Sequence, residues 1–358
     1  MKTKIIEGVE LTQGAVDSYL KDRQYNALYW ATFFPRKDVA QLSATTLIGS
    51  KGSRIAAAVI SYNAKTPEAG RKTITKKSFD IPKIAIKRIK TESEILEQRM
   101  TLAMLGANAV IADYFEDVDY VYDAVNGRQE WFALQALSLT KIQLSTTNNP
   151  NGIVNETVVD FGMPDANKKV VSVVWTSGTL ETMDPIADFK AVAKAGRALG
   201  LKFSKMLMHP DAFDLMTGAT KFQAYFKNTA LNVVAGMSLE NINTLLRSLS
   251  LPEIVVIETS VGIENKAGVT TDVNPWDANH ITFITEVKQG NMFNGPIAEE
   301  IEKPLDVMQS KRDNVLISMK KEFDPVSVIT KGEANAFPSW PMVDRCMSLY
   351  LADASTWA

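Results

Sequence analysis

The chain has 358 residues, of which 46% are hydrophobic, so it is long enough to bury a large core and to divide into two or more domains. Its formal net charge is −2 and its isoelectric point is near 5.9, whereas dedicated nucleic-acid-binding domains usually lie above about 9. The single cysteine, Cys346, cannot form an intramolecular disulfide, and no window contains the roughly 20 apolar residues of a membrane span. These features predict a soluble, unsecreted globular protein of a reducing compartment.

The charge is unevenly distributed along the chain. Residues 51–90 contain eleven lysines and arginines against Glu68 and Asp80, so this segment carries +9 and the rest of the chain −11. The segment is a solvated face, a nucleic-acid-binding surface, or a surface that meets the acidic part of another copy. The third interpretation is favoured, because uncompensated positive charges repel one another and only Tyr62 and Phe79 are available to stack on bases.

The first elements predicted in chain order are an aromatic N-terminal arm and a long two-stranded excursion. Residues 14–34 suit a short helix that leads into an extended segment at Pro35. Residues 42–89 have the pattern of strands, interrupted by the flexible stretches GSKGSR and AKTPEAGRK. Such a ribbon has too few large apolar side chains to build its own core, so we expect a neighbour to cover it.

Helices follow the ribbon. Thr91 and Glu94 match a capping box that opens a first helix. A second helix is predicted over residues 113–139, with an acidic start and a break or kink at Asn126 and Gly127. Two short strands then flank the turn-rich stretch TTNNPNGIVNE, which predicts a hairpin with an exposed tip.

Strands and helices alternate in the middle of the chain. Asp184 and Pro185 predict the start of a helix that stops at Gly200. His209 is predicted to cap a short helix after the strand KFSKMLM, and residues 238–249 form a further capped helix. The C-terminal region predicts two strands, PVSVITKG and CMSLYLAD, separated by NAFPSWP.

No residues have the spacing of a catalytic or metal-binding motif. His209 and His280 are far apart in the sequence and lack nearby cysteines, and GSKGSR lacks the spacing of a phosphate-binding loop. Glu116, Asp117 and Asp119 diverge around a helix, which is typical of a solvated helix start. A hydrolytic enzyme with a site drawn from scattered Asp and Glu residues stays an alternative, and a pocket of perturbed carboxylates would be its sign. No catalytic residue, metal ion or cofactor is predicted.

In their order, the elements resemble the major capsid proteins of tailed phages of the lambda type, which share the Hong Kong 97 capsid fold. The likeness rests on VDFGM, DPIADFKAV, KFSKMLMHPDAFDLM, KQGNMF and PVSVITKGEANAFPSWPMVDRCMSLYLAD. The resemblance implies an α+β chain with an N-terminal arm, an extended β-ribbon loop, a peripheral domain with a long spine helix, and an α/β axial domain. The implied bounds are 1–43 for the arm, 44–90 for the loop, 91–171 and 311–358 for the peripheral domain, and 172–310 for the axial domain.

The resemblance also implies a structural, non-enzymatic function. Homopentamers and homohexamers would assemble in the cytoplasm of the host bacterium into an icosahedral shell, the virion capsid, around packaged DNA. A scaffolding protein, a portal and a decoration protein are the implied partners, with only non-specific contact to DNA and no membrane. A nucleic-acid-binding protein that uses residues 51–90 stays the alternative, and a steep salt dependence of binding would distinguish it.

The extended loop is expected to reach over the peripheral domain of an adjacent subunit. Its basic residues would then face acidic residues of that neighbour. The candidates are Arg54, Lys76, Lys77, Lys83, Lys87 and Arg88 on the basic side and Glu116, Asp117 and Asp119 on the acidic side. Surface ion pairs contribute only about 0–1 kcal/mol each, so we expect these charges to set the register while apolar burial supplies most of the affinity.

Overall fold

The computed structural model describes residues 12–25, 27–48, 75–105, 107–152, 158–228, 233–234 and 236–356. Its helices are α1 (Gln13–Asp22), α2 (Tyr29–Phe33), α3 (Glu92–Leu105), α4 (Ala107–Leu139), α5 (Pro185–Ala198), α6 (Pro210–Gly218), α7 (Thr220–Gln223), α8 (Leu239–Ser248) and α9 (Ala298–Ile301). Its strands are β1 (Arg36–Asp38), β2 (Ser43–Ile48), β3 (Thr75–Asp80), β4 (Lys83–Lys90), β5 (Lys141–Ile142), β6 (Val159–Asp160), β7 (Lys168–Val170), β8 (Lys205–Met208), β9 (Lys227–Asn228), β10 (Val233–Val234), β11 (Glu253–Val256), β12 (Val261–Glu264), β13 (Thr270–Val273), β14 (His280–Ile284), β15 (Asn291–Asn294), β16 (Val307–Arg312), β17 (Val315–Phe323), β18 (Val326–Ser339) and β19 (Met347–Tyr350).

The larger sheet is built around β18, a strand of 14 residues. The N-terminal part of β18 pairs antiparallel with β17 on one side and β4 on the other, and its C-terminal part pairs with β15. The strand order is β1-β15-β18-β17-β16, with β4 attached to β18. α4 packs on this sheet closely enough that a Cβ atom at Gly332 would lie 2.8 Å from the carbonyl oxygen of Val121.

α4 is a continuous helix of 33 residues, about 50 Å long at 1.5 Å per residue. It begins at Ala107, before the predicted start, and it passes through Asn126 and Gly127, so the predicted break there is wrong. The Asn126 side chain donates to the carbonyl oxygen of Tyr122 at 3.0 Å, one turn earlier. A glycine in a helix costs only about 1 kcal/mol, and the buried apolar face of α4 outweighs that cost. None of the described helices is long and apolar enough to cross a membrane.

The smaller sheet has the strand order β11-β8-β14-β19-β7. The pairs β11–β8 and β19–β7 are parallel, and β14 is antiparallel to both of its neighbours. α5, α6 and α8 contribute apolar side chains to a core shared with this sheet. In that core the ring of Phe189 lies 5.9 Å from the ring of Trp175 and 6.0 Å from the ring of Phe283.

Helix ends follow the local signals of the sequence. The carboxylate of Glu94 accepts the Thr91 N–H at 2.7 Å, as a capping box requires. Asp184 and His209 each accept an N–H bond in the first turn of the helix that follows, at 3.0 and 3.1 Å. Gly200 has a φ of +73° just after α5, the left-handed conformation that a stop glycine adopts. These predictions are confirmed.

Strand pairing departs from the predicted organisation at three points. β4, which was expected in the extended loop, pairs with β18 along its whole length. The segment NAFPS continues β18 instead of separating two strands, and β19 belongs to the smaller sheet with β14 and β7. Elsewhere in the chain, β13 forms a hairpin with the preceding strand β12. The partners of β4 and β19 are distant in sequence, and no local pattern identifies them.

β2 and β3 form the described base of the predicted extended loop. They pair antiparallel from Ser43 opposite Asp80 to Ile48 opposite Thr75. The predicted contact residue Arg54 lies outside the described residues, whereas Lys76 and Lys77 lie on β3. At the hairpin predicted after α4, β5 and β6 pair antiparallel, and part of the tip lies outside the described residues.

Candidate subunit-contact surface

β4 presents its basic residues on two faces. Ile84 and Lys90 are buried, Ile86 and Arg88 are partly buried, and Lys87 on the alternate face is exposed, as the two-residue period of a strand requires. The register with β18 brings β4 beside Glu333, and the Lys83 Nζ atom lies 2.8 Å from the Glu333 Oε1 atom. Lys83 therefore has an acidic partner within its own subunit.

Arg88 meets two of the predicted acidic residues within the same chain. Its Nη1 atom lies 3.1 Å from Asp117 Oδ1 and 3.6 Å from Glu116 Oε1, and its guanidinium lies 4.2 Å from the centre of the Tyr120 ring. Lys90 Nζ lies 3.2 Å from the other carboxylate oxygen of Asp117. The structure thus brings Arg88, Glu116 and Asp117 together within one subunit, while Glu116 keeps most of its side chain exposed.

Asp119 faces the N-terminal arm. Its two carboxylate oxygens accept hydrogen bonds from the Tyr19 and Tyr25 hydroxyls, both at 2.6 Å, and Arg23 Nε lies 3.3 Å away. Burial and the bond to Asp119 raise the pKa of Tyr19 to about 12 and raise the pKa of Tyr25 still further. Asp119 is therefore an anchor for the arm of its own subunit.

β4, α3 and α4 enclose a cleft of about 410 Å³. Its lining residues are Arg88, Ile89, Lys90, Glu94, Glu97, Gln98, Asp113, Glu116 and Asp117. Asp113 is bonded to Lys90 at 2.5 Å and also accepts a bond from Gln98, and bonds from Thr91 lower the pKa of Glu94. Among the described residues, no group of three or more His, Cys, Asp or Glu side chains is arranged to hold a metal ion. The cleft is a region of structural ion pairs with an acidic rim.

The outer face of α3 carries an exposed apolar stripe, which sequence reasoning did not single out. Leu96, Met100 and Met104 are 61%, 67% and 82% exposed and follow one another at intervals of four residues, so they lie on one face of the helix. Ile95 and Leu102 pack inward instead. The sequence does contain the signal for this stripe. It is a second set of apolar residues at helical spacing in α3, on the side of the helix opposite the residues that face the core. A contiguous exposed apolar stripe is typical of an interaction surface.

Comparison with known proteins identifies the family. The family model described as phage major capsid protein E matches residues 15–350. A prophage capsid protein of E. coli CFT073 superposes with a TM-score of 0.54 at 14% identity, over 96% of this chain and 99% of that one. A phage-related protein of Bordetella bronchiseptica RB50 superposes with a TM-score of 0.51 at 15% identity, over 95% of this chain and 97% of that one. No curated protein sequence matches significantly.

These comparisons confirm the predicted fold class, an α+β chain with the Hong Kong 97-type capsid fold. They do not support the alternative of a nucleic-acid-binding protein. The family implies a structural role in the virion and not a catalytic one. Because the family model spans almost the whole length, the chain belongs to the phage major capsid protein E family and is a shell protein of a phage head.

Proposed function

We propose that the chain assembles with itself as pentamers and hexamers into an icosahedral shell that encloses packaged DNA. The observation that carries the proposal is the family match over residues 15–350. In this proposal the chain has no catalytic activity, and assembly takes place in the host cytoplasm with a scaffolding protein, a portal and a decoration protein as partners. Contact with DNA is non-specific.

Electron microscopy and light scattering on the purified chain, over a concentration series, test self-assembly. We expect shells, tubes or rings of five or six subunits above a threshold concentration. A chain that stays strictly monomeric over the whole series would contradict unaided assembly. The experiment would then have to be repeated with the scaffolding protein added.

The strand pairing supports a revised domain division within this proposal. The arm (1–43), the loop (44–90), the peripheral domain (91–171 and 311–358) and the axial domain (172–310) keep their predicted order. We move β4 from the loop to the peripheral domain, because it pairs with β18. By the same criterion, we move β7 and β19 to the axial domain, because they pair with each other and β19 pairs with β14, and we move β15 to the peripheral domain, because it pairs with β18.

We further propose that the basic loop of one subunit contacts the outer face of α3 and α4 on the next. The loop contributes Arg54 together with Lys76 and Lys77 on β3, and Lys87 adds an exposed charge on β4. The facing surface offers the apolar stripe of α3 and the exposed carboxylate of Glu116. In this version of the contact, Lys83, Arg88, Asp117 and Asp119 act mainly through the ion pairs of their own subunit.

A double charge reversal, Lys76→Glu with Lys77→Glu, tests this contact. At low salt we expect the variant to form fewer shells than the wild type, because two positive charges that an acidic surface attracts become negative charges that it repels. The difference should shrink as salt screens the charges. The matched control is Lys202→Glu with Lys266→Glu, which reverses two exposed lysines outside the proposed contact. Equal assembly of the loop variant and the wild type at every salt concentration would contradict the proposal.

A further inference from the structure

The N-terminal arm is fastened to α4 by two carboxylates. Asp119 holds the hydroxyls of Tyr19 and Tyr25, and Glu130 lies eleven residues, or about three helical turns, further along α4. The arm also contributes Trp30, which is buried with the apolar core around α4. The arm is thus bound through polar contacts at two separated points and by the burial of Trp30 at the second of them.

Glu130 caps a helix that cannot cap itself. Leu28 precedes α2, and its side chain has no atom to accept a hydrogen bond from the first N–H groups of that helix. Glu130 Oε1 accepts the Tyr29 N–H at 3.0 Å, and Oε2 accepts the Trp30 N–H at 2.7 Å. Glu130 is 0% exposed. Arm docking therefore removes this carboxyl from water.

The neighbouring charged and titratable groups are engaged elsewhere. On the arm, the Tyr29 hydroxyl donates to a backbone carbonyl of β11 at 3.4 Å, and Arg36 pairs with Asp313 at 2.7 Å. On α4, Arg128 donates to a backbone carbonyl of the following loop at 2.9 Å. Among the contacts of the described residues, Glu130 is bonded to the two backbone N–H groups and to no cation.

Burial in such surroundings disfavours the ionised form. It raises the pKa of Glu130 from 4.5 to about 7, and the two N–H bonds offset only part of this effect. If the released arm exposes Glu130, its pKa returns to the ordinary value, so docking takes up a proton between about pH 4.5 and 7. Docking is therefore strongest below this window and weakens as the pH rises through it.

We propose that Glu130 is a proton-sensitive latch that holds the N-terminal arm on α4 while it is neutral and loosens the arm when it ionises. Asp119 holds the arm at its other polar anchor. The latch is a conformational control within one subunit, and it does not depend on the shell function proposed above. The ionisation state of Glu130 would set the fraction of subunits in which the arm is released from α4 and can contact another surface.

Hydrogen exchange of the full-length chain at pH 6 and pH 8, corrected for the intrinsic exchange rates, tests the latch. In the wild type we expect the protection of the amides of residues 28–34 to fall about tenfold from pH 6 to pH 8, as two-state linkage predicts for this pKa shift. In Glu130→Gln, which keeps an acceptor but does not titrate, the fall should be less than about twofold. Glu240→Gln makes the same change at an exposed position of α8 and should behave like the wild type.

A second variant keeps the test decisive if Glu130→Gln does not fold. Asp119→Asn weakens the other anchor, so arm protection should drop at both pH values while the tenfold ratio between them is retained. In the wild type, the fall in amide protection between pH 6 and pH 8 should also be confined to the arm. The amides of α5 should have the same protection at both pH values. Equal wild-type protection at pH 6 and pH 8, or a tenfold fall that persists in Glu130→Gln, would overturn the proposal.

Discussion

Glu333 illustrates how single residues make buried charge tolerable in this subunit. It is 1% exposed on β18, and it is bonded to Lys331 at 2.6 Å and to Lys83 at 2.8 Å. Burial acts to raise the pKa of Glu333, but the bonds from Lys331 and Lys83 outweigh it and hold the pKa below 4.5. The ionised form is therefore stabilised by folding.

Lys331→Met removes the closer of the two lysines and leaves the carboxylate only partly compensated. We expect the free energy of unfolding at pH 7 to fall by about 2–4 kcal/mol, as when one partner of a buried pair is removed. Because the folded pKa of Glu333 is lowered, its stabilisation is present above about pH 4.5 and is lost as the pH falls through the folded pKa. The difference between variant and wild type should therefore shrink at pH 3.

Urea unfolding at pH 7 and pH 3 measures this effect. Lys320→Met on the adjacent strand β17 is the control, because Lys320 is half exposed and its change should stay within about 0.5 kcal/mol. If Lys331→Met lowers the free energy of unfolding by the same amount at both pH values, the ion pair with Glu333 is not the source of the loss.

At the scale of elements, the contact between α4 and β18 depends on a residue without a side chain. A Cβ atom at Gly332 would meet the carbonyl oxygen of Val121 at 2.8 Å and the Cβ atom of Val121 at 2.9 Å. One of these is a backbone atom of a packed helix, so it cannot rotate away. Close approach of helix and strand, and not a special backbone angle, is what requires glycine here.

Gly332→Ala should separate α4 from β18 locally and lower the free energy of unfolding by about 1–3 kcal/mol. Gly14→Ala is the matched control, because Gly14 is at an exposed position of α1 and nothing lies within 4 Å of the added methyl group. That control should be neutral or stabilising by up to about 1 kcal/mol. Thermal or urea unfolding of both variants measures the contrast, and equal stability of the two would refute the packing argument.

Local elements were predictable from the sequence, and long-range pairing was not. The caps at Asp184 and His209 depend on residues within one helical turn, so short-range chemistry specifies them. The pairing of β4 with β18 joins residues more than 200 positions apart, and the alternation of Ile and Lys in β4 fits either a loop strand or a sheet strand. Gly127 misled the prediction of α4 because tertiary burial overrides a weak local preference.

At the scale of the whole molecule, two apolar cores are distinct. One surrounds α4 and the larger sheet, and the other surrounds α5, α6 and α8 with the smaller sheet. The order of elements along the chain predicted the fold through its resemblance to a family. The ion pairs of Arg88 and Asp119 within the subunit were not predictable, because only the folded chain brings their partners near.

Phe189→Ala should weaken the second core more than the first. Truncation of this fully buried ring, which packs on Trp175 and Phe283, is expected to cost about 3–5 kcal/mol. Hydrogen exchange should accelerate in α5 and β14 while the amides of α4 stay protected. Phe323→Ala, at an exposed hairpin end, is the control. It should change neither the stability of the second core nor hydrogen exchange in α5 and β14. Equal acceleration in α4 would mean that the two cores unfold as one cooperative unit.

β19 lies between β14 and β7 in the smaller sheet, although it follows the larger sheet in the chain. β7 is complete by Val170, yet the strand that joins it to the sheet ends at Tyr350. During synthesis, most of the polypeptide must therefore leave the ribosome before this sheet can close. A nascent chain therefore cannot fold into the complete subunit. Translation thus delays the point at which chains made from one messenger RNA can associate with one another.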